Sequence, residues 1–356
     1  MEILFVYNTN FELVGAIDTY KSLIWTERYF TYGDFELQIP LPSNKLSILK
    51  NDYYIMRKGI KEAMIIENIE IKSNATQEDV IVVKGRSLLS LMDRRVIWKL
   101  INRKDIKPSV AITTIIAQNF MPTEDETYNY KARFCPELKI SNTYSTQDTD
   151  TIKLSTSWGD IVLNKIVEIA KQWDLGIKIQ LELNAEKPFN FVTYKGNGTD
   201  CVFSEHLGNL LSSDYTRNKT DYKNTCIVAG QGETQGINRW SQDIYRGSTE
   251  PTGFNRRECY LDCSSVNSTE IDGVYRDYLE ARGKRELVNH RLKVAFSCVA
   301  SPDSIYTYRK DYILGDRVKV MNKYGVAVTM RISEVIESWN ENGHTVVPTF
   351  LNNTEV

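Results

Sequence analysis

The sequence predicts a β-rich α+β fold, and three observations carry that prediction. Short alternations of apolar and polar residues, broken by turn signals, fill residues 1–100 and return in residues 301–356. Segments with helical period are few and lie between those regions. Tyrosine (20) and phenylalanine (12) are abundant, and aromatic side chains favour strands and interfaces. At ~150 residues per domain, a chain of 356 residues predicts two or three domains. Its 42% hydrophobic and 25% charged content is that of a folded protein that buries a core without staples.

The elements follow in order. Residues 3–7 and 11–17 flank Asn8-Thr9-Asn10, a polar break suited to a hairpin. Leu23, Trp25, Glu27 and Tyr29 alternate on one face, and Tyr32-Gly33-Asp34 turns the chain. Phe35, Leu37 and Ile39 alternate next, until Pro40 and Pro42 end the strand because proline cannot donate to a ladder. Further strands are predicted at 53–57, 63–72 and 79–84, then a short helical segment at 87–93. Pro108 and Ser109 start a helix carrying Ile112, Ile115, Ile116 and Phe120. Residues 143–156, rich in Ser, Thr and Asp, read as a loop. Ser157 and Asp160 have capping-box spacing for a helix with Trp158, Ile161, Val162, Ile166, Ile169 and Trp173 in register, stopped at Gly176. Strands at 177–183 and 189–194 come next, and 230–254, with five glycines, reads as loops. A strand at 257–263 precedes a helix capped by Ser268 or Thr269 that bears Tyr275, Tyr278, Leu279 and Leu287. Strands at 292–299, 317–321, 326–336 and 344–351 complete the chain. Met64-Ile65-Ile66-Glu67-Asn68-Ile69-Glu70 and Met330-Arg331-Ile332-Ser333-Glu334-Val335-Ile336-Glu337 share an apolar and acidic rhythm, a faint internal similarity.

Lysine plus arginine (44) nearly balance aspartate plus glutamate (46), which excludes a strongly basic nucleic-acid coat. No apolar run approaches the ~20 residues that span a bilayer, and the start, with Glu2 and a run cut at Asn8, does not read as a secretion signal. The expectation is a protein made in a cytosol, with its six cysteines reduced.

A search for chemistry yields no catalytic, cofactor-binding or metal-binding residue. His206, His290 and His344 lie far apart, without an HExxH or HxH pair. Cys259 and Cys263 fall on one face of a strand, ~13 Å apart, too far to share an ion. Cys135, Cys201, Cys226 and Cys298 form no second pair at metal spacing and read as small apolar fillers. Gly196-Asn197-Gly198 and Gly230-Gln231-Gly232 are too short to cradle a phosphate and read as turns. Arg94-Arg95 and Arg256-Arg257 read as solvated faces. Carboxylates such as Asp311 and Asp316 leave open a glycosidase-like pair, since such residues meet only in the fold. The residues alone point to a protein that works through its surfaces.

Several segments together resemble the phage tail-hub family. They are Trp25-Thr26-Glu27-Arg28-Tyr29 through Gly33-Asp34-Phe35-Glu36-Leu37 to Pro40; Gly85-Arg86-Ser87-Leu88-Leu89-Ser90-Leu91-Met92-Asp93-Arg94-Arg95; Phe203-Ser204-Glu205 with Gly208-Asn209-Leu210-Leu211; and Lys223-Asn224 with Val228-Ala229-Gly230-Gln231-Gly232-Glu233. Lys310-Asp311-Tyr312-Ile313-Leu314-Gly315-Asp316-Arg317-Val318, Arg331-Ile332-Ser333-Glu334-Val335 and Pro348-Thr349-Phe350 complete the series. These are the baseplate-hub or tail-associated proteins of siphophages, prophages and tailocins, related in fold to the baseplate hub of T-even phages. The resemblance spans nearly the whole chain, in order.

The resemblance implies two tube-like β-barrel domains with smaller α+β insertions. Residues 1–100 would form the N-terminal barrel, completed by 200–235, and 301–356 the C-terminal barrel region. Residues 101–199 would be an α+β insertion and 236–300 a second insertion of loop, helix and strand. It further implies a homotrimer in the virion tail, at the baseplate or tail tip, joining the tail tube or distal tail protein to a tail-tip or spike protein. DNA would only pass through its lumen, which is expected to be neutral or acidic because cationic contacts would hold phosphates. No cofactor, membrane or enzymatic activity is expected. Because the chain stops at Val356, a tip enzyme would be a separate protein or a truncated part. The alternatives are a tail-associated cell-wall hydrolase using a carboxylate pair, and a carbohydrate-binding receptor module favoured by the aromatic count.

Overall fold

The structure is a computed structural model that describes residues 2–74, 77–123, 130–142, 151–232, 241–265, 275–301 and 305–351. The chain divides into two compact units: a larger one of residues up to Asp214 together with Phe296–Leu351, and a smaller one of Tyr215–Ala295.

In the larger unit β1 (Leu4–Tyr7) and β2 (Leu13–Ile17) form the predicted hairpin. Asn8 Oδ1 closes its turn by accepting from the backbone N–H groups of Asn10 (2.9 Å) and Glu12 (3.0 Å). Next come β3 (Ser22–Arg28), β4 (Asp34–Pro40), β5 (Tyr54–Arg57), β6 (Ala63–Asn74) and β7 (Gln77–Ser87). Their alternation buries one face around Trp25, Phe35, Leu37, Ile55, Ile66 and Val83. A 3₁₀ turn, Leu88–Arg94, leads to β8 (Asn102–Ile106), α1 (Pro108–Phe120) with Pro108 at its first position, and the single turn α2 (Tyr130–Arg133). After β9 (Leu138–Asn142), β10 (Ile152–Ser155) and α3 (Val162–Gln172) come β11 (Gly176–Leu181) and β12 (Phe189–Tyr194). These elements, α2 apart, share one apolar core with Tyr29, Phe30, Leu88 and Leu89 of the first lobe, which is β1–β7 and the 3₁₀ turn.

A second lobe holds β13 (Gly198–Ser204) and the first part of β14 (Leu210–Asn218), and later the C-terminal strands. The smaller unit pairs β15 (Thr225–Ala229) with β16 (Ser241–Tyr245) and β17 (Glu258–Asp262), and packs α4 (Tyr275–Asn289) on them. Gly283 allows that packing, because a Cβ there would sit 2.6 Å from Ile244 Cγ1 and 2.7 Å from Val228 Cγ2. The chain returns through β18 (Lys293–Ala300) to β19 (Arg317–Met321), β20 (Ala327–Asn340) and β21 (Gly343–Leu351). Phe203 anchors this lobe, its ring 5.2 Å from Tyr312 and 5.4 Å from Phe350.

One mixed sheet of thirteen strands runs β14-β18-β21-β20-β3-β4-β7-β6-β5-β1-β2, with β19 beside β20 and β13 parallel to β19. Among the described residues this path stays open and closes no barrel: the edge of β3 that could close the first lobe on itself is taken by β20. β13 pairs with β19, so 198–204 lies with the C-terminal strands rather than with residues 1–100.

Three local expectations change. The Ser157/Asp160 pair is a turn, with Asp160 Oδ2 accepting from Ser157 N–H at 3.2 Å, and α3 begins only at Val162. Its stop is Asp174, left-handed at φ 54, with Leu175 N–H bonded to Ala170 O at 2.9 Å, while Gly176 already opens β11. Residues 152–155 and 241–245, read as loops, are strands because β8 and β15 offer them ladder partners that local composition does not reveal. The proposed caps Ser268 and Thr269 lie outside the described residues.

Candidate functional site

A dense cluster of charge lies where β20 joins the two lobes, antiparallel to β3 from Glu334↔Arg28 to Trp339↔Leu23. Arg57, its side chain 1% exposed, is sandwiched between Trp25 and Trp339 with ring centroids at 4.9 and 5.2 Å. Its Nη1 donates to Glu337 Oε1 (2.8 Å) and its Nη2 to Glu27 Oε1 (3.1 Å). Arg309 donates to the same two carboxylates, and Tyr308 O–H donates to Glu27 Oε2 at 2.9 Å. His344 stacks on Trp339 (centroids 4.4 Å apart) with Nε2 3.3 Å from Glu337 Oε2.

Burial works against the charged form of Glu337, but the His344 hydrogen bond and the Arg57 and Arg309 charges outweigh it and hold its pKa below the usual value. A carboxylate depressed on folding contributes stability that is complete above its unfolded pKa of about 4.3 and is lost as pH falls through the folded value. Acid destabilisation should therefore be less steep in Glu337→Gln than in the parent protein below about pH 4.3. Urea midpoints across that range would show it, and parallel acid limbs would refute it.

A second cluster ties α3 to the C-terminal strands. Arg331, buried and stacked over Tyr29 at 5.0 Å, forks onto Asp174 with Nε at 2.6 Å from Oδ1, and Arg317 Nη2 reaches Asp174 Oδ2 at 2.9 Å. Burial raises the Tyr29 hydroxyl to about 12.

Beside the first cluster opens a cleft of about 360 Å³ whose walls include Glu27, Glu62, Lys178, Tyr194, Tyr308 and Arg309. Burial opposes the charge of Glu62, yet Lys178, 2.6 Å away, holds its pKa below the usual value. A carboxyl acting as general acid needs the opposite shift, so Glu62 and Glu337 are poorly suited to protonate a leaving group. Asp311 and Asp316 are both engaged by backbone N–H groups. Asp311 closes a turn by accepting from Thr307 N–H (2.7 Å); Asp316 closes another by accepting from Ile313 N–H and also accepts from the distant Asn197 N–H (both 2.9 Å).

The other singled-out residues are dispersed. His206 Nε2 lies 3.1 Å from Lys323 O, and His290 Nε2 lies 3.2 Å from Glu286. Parallel pairing sets Cys226 opposite Cys259, a neighbour that spacing along one strand could not show, and Cys263 joins the same core. Burial, with Cys259 alongside, pushes the Cys226 thiol up to about 12. Among the described residues, no group of three or more His, Cys, Asp or Glu is placed to hold a metal ion. None of their helices is long and apolar enough to cross a membrane.

The faint sequence similarity has a clear structural counterpart. Met64 on β6 faces Ile55 of β5, and Met330 on β20 faces Val318 of β19. Ile66 then faces Gly85 of β7, and Ile332 faces Phe350 of β21. Both central strands shift register at the next residue, between Ile66 and Asn68 and between Ile332 and Glu334, and both resume with a polar residue, Asn68 and Glu334, followed by an apolar one, Ile69 and Val335. β5-β6-β7 and β19-β20-β21 are the same bulged meander, used twice. At the first bulge Gly85 is required: a Cβ there would lie 1.7 Å from Ile65 O.

Known structures share this architecture. The 43 kDa tail protein of prophage MuSo2 from Shewanella oneidensis superposes with a TM-score of 0.66 at 12% identity, over 99% of each chain. A tail protein from Neisseria meningitidis MC58 gives 0.61 at 12% identity, over 99% of this chain and 96% of that one. Prophage tail protein gp18 from Listeria monocytogenes EGD-e gives 0.61 at 9% identity, over 100% and 96%. At such identities the likeness is one of fold. No curated protein matches the sequence. The sequence itself fits the model of one family over residues 3–350, and the chain belongs to the Siphovirus ReqiPepy6 Gp37-like proteins.

Proposed function

We propose that the chain is a structural, non-enzymatic component of a phage or prophage tail, a homotrimeric hub at the baseplate or tail tip. The observation that carries this reading is the repeated bulged meander within one sheet. Two equivalent lobes per chain let three chains present six similar lobes to a six-fold tube, which removes the mismatch between a three-fold tip and a six-fold tube. The shared fold of prophage tail proteins supports the same setting.

On this reading the two lobes of the open sheet are the two tube-forming repeats of the ring. One face of the ring docks the tail tube or distal tail protein and the other a tip or spike protein. DNA passes through a lumen whose neutral or acidic surface avoids holding phosphates, consistent with a formal net charge of −2. The paired carboxylates then serve assembly rather than hydrolysis: in the seam Glu27 and Glu337 clamp the two lobes through Arg57 and Arg309.

Native mass spectrometry across a concentration series tests the oligomer. With a chain mass of 41.0 kDa, the expected species is a trimer of about 123 kDa. A stable dimer would count against the hub.

A further inference from the structure

Between the 3₁₀ turn and β8 the chain holds large apolar side chains in water. Val96, Trp98 and Leu100, every second residue, are 42%, 39% and 51% exposed, whereas Ile97 and Ile101 are 0% and 5% exposed and lie in the core. Trp158, in the turn before α3, is 61% exposed and meets Trp98 with ring centroids 5.2 Å apart. The backbone around the two indoles is fully braced. On one side Ile97 N–H donates to Asp160 O (2.7 Å) and Gly159 N–H to Ile97 O (3.0 Å). On the other, Ile101 N–H donates to Thr156 Oγ1 (2.9 Å) and Thr156 N–H to Ile101 O (3.1 Å). The exposure is therefore built into ordered structure.

The same stretch is basic in a chain of net charge −2: residues 94–107 hold Arg94, Arg95, Lys99, Arg103, Lys104 and Lys107 against Asp105 alone. Lys99 and Arg103 are exposed, and the nearby Asp160 carboxylate is engaged by Ser157 N–H. An anionic lipid surface answers both chemistries at once. Its headgroups attract lysine and arginine, and the interface beneath them accepts indoles, whose N–H stays wet while the rings leave water. Aromatic rings alone would equally suit a sugar or a nucleobase. Val96 and Leu100 favour lipid, because an aliphatic side chain gains by leaving water for acyl carbon and gains little from a hydrated polymer.

We propose that this patch docks on an anionic lipid bilayer, with Trp98, Leu100 and Trp158 entering the interface while Lys99 and Arg103 hold the headgroups. The chain then lies on the membrane and does not span it. The expectation of no membrane partner rested on the absence of a spanning run, which a surface contact does not need. The inference goes beyond the hub reading and does not depend on the trimer.

The test mixes the full-length protein with vesicles of phosphatidylcholine and phosphatidylglycerol in equal parts, and with vesicles of phosphatidylcholine alone. Co-sedimentation should show binding at least tenfold tighter to the anionic vesicles, weakened by added salt. Brominated acyl chains should quench part of the tryptophan fluorescence. Two variants change exposed positions: Trp158→Ala, and Lys99→Glu with Arg103→Glu. Each should bind at least tenfold more weakly, and Trp158→Ala should lose most of the quenching. Circular dichroism and melting temperature confirm that both fold like the parent. A parent that ignores anionic vesicles, or folded variants that bind as well as the parent, overturn the proposal. So does binding that single-stranded DNA displaces and brominated lipid fails to quench, which marks a polyanion site. Native mass spectrometry separates the docking from the hub. A folded Trp158→Ala variant that loses the parent oligomer makes the patch a subunit contact, which overturns the docking and leaves the hub. A monomeric parent that binds vesicles through the patch keeps the docking and overturns the trimer.

Discussion

Arg57→Ala is expected to lower the stability of the larger unit by about 3–5 kcal/mol, because it strands two buried carboxylates. The side chains of Arg57, Glu27 and Glu337 are 1%, 11% and 7% exposed, so solvent screens the pair little. Removing the guanidinium leaves Glu27 and Glu337 to share Arg309 and also empties the slot between Trp25 and Trp339. The stacking is the smaller part, ~0.5–2 kcal/mol. Arg94→Ala is the contrast: Arg94 and its partner Asp52 are 50% and 62% exposed, and its loss should cost no more than ~1 kcal/mol. Urea titration followed by tryptophan fluorescence reads both, since Trp25 and Trp339 flank the site. If the two variants lose the same small amount, the buried network does not hold the lobes together.

That network explains which features were readable in the sequence. Strands with one buried face, such as β3, β4 and β20, announce themselves by alternation. β14, largely exposed and polar, carries no such rhythm and is defined by its neighbour in the sheet. The segments that resemble tail hubs contain Glu27, Arg28, Asp34, Arg317, Arg331 and Glu334, and the structure gives each of these an ionic partner. Arg28 joins Asp34 across the β3–β4 turn and Glu334 across the seam, so it clips three strands together. The ionic partners of these residues were not legible. Arg57 and Glu337 lie 280 positions apart and meet only when β20 docks on β3. The internal repeat was visible as a rhythm, but its weight comes from two register shifts at equivalent residues, which only strand pairing reveals.

Asp174→Gly sets two effects against each other. Asp174 has φ 54 just past the end of α3, where glycine is the preferred residue, and the substitution should relieve about 1 kcal/mol of backbone strain at most. Against that stands its carboxylate, 15% exposed, held by the 1%-exposed guanidinium of Arg331 and by Arg317. Without it, Arg331 keeps only the Gly315 carbonyl and the face of Tyr29, a loss of about 3–5 kcal/mol. The ion pair should win, for a net destabilisation of about 2–4 kcal/mol. Asp174→Asn separates the two effects, because asparagine tolerates the left-handed backbone and still accepts a hydrogen bond but carries no charge. Its loss should fall between those of the parent and the glycine variant. A glycine variant more stable than the parent would mean that backbone strain outweighs the ion pair. The expected order would instead show that Arg317 and Arg331, from the two C-terminal motifs, hold the end of α3 against the second lobe through one carboxylate.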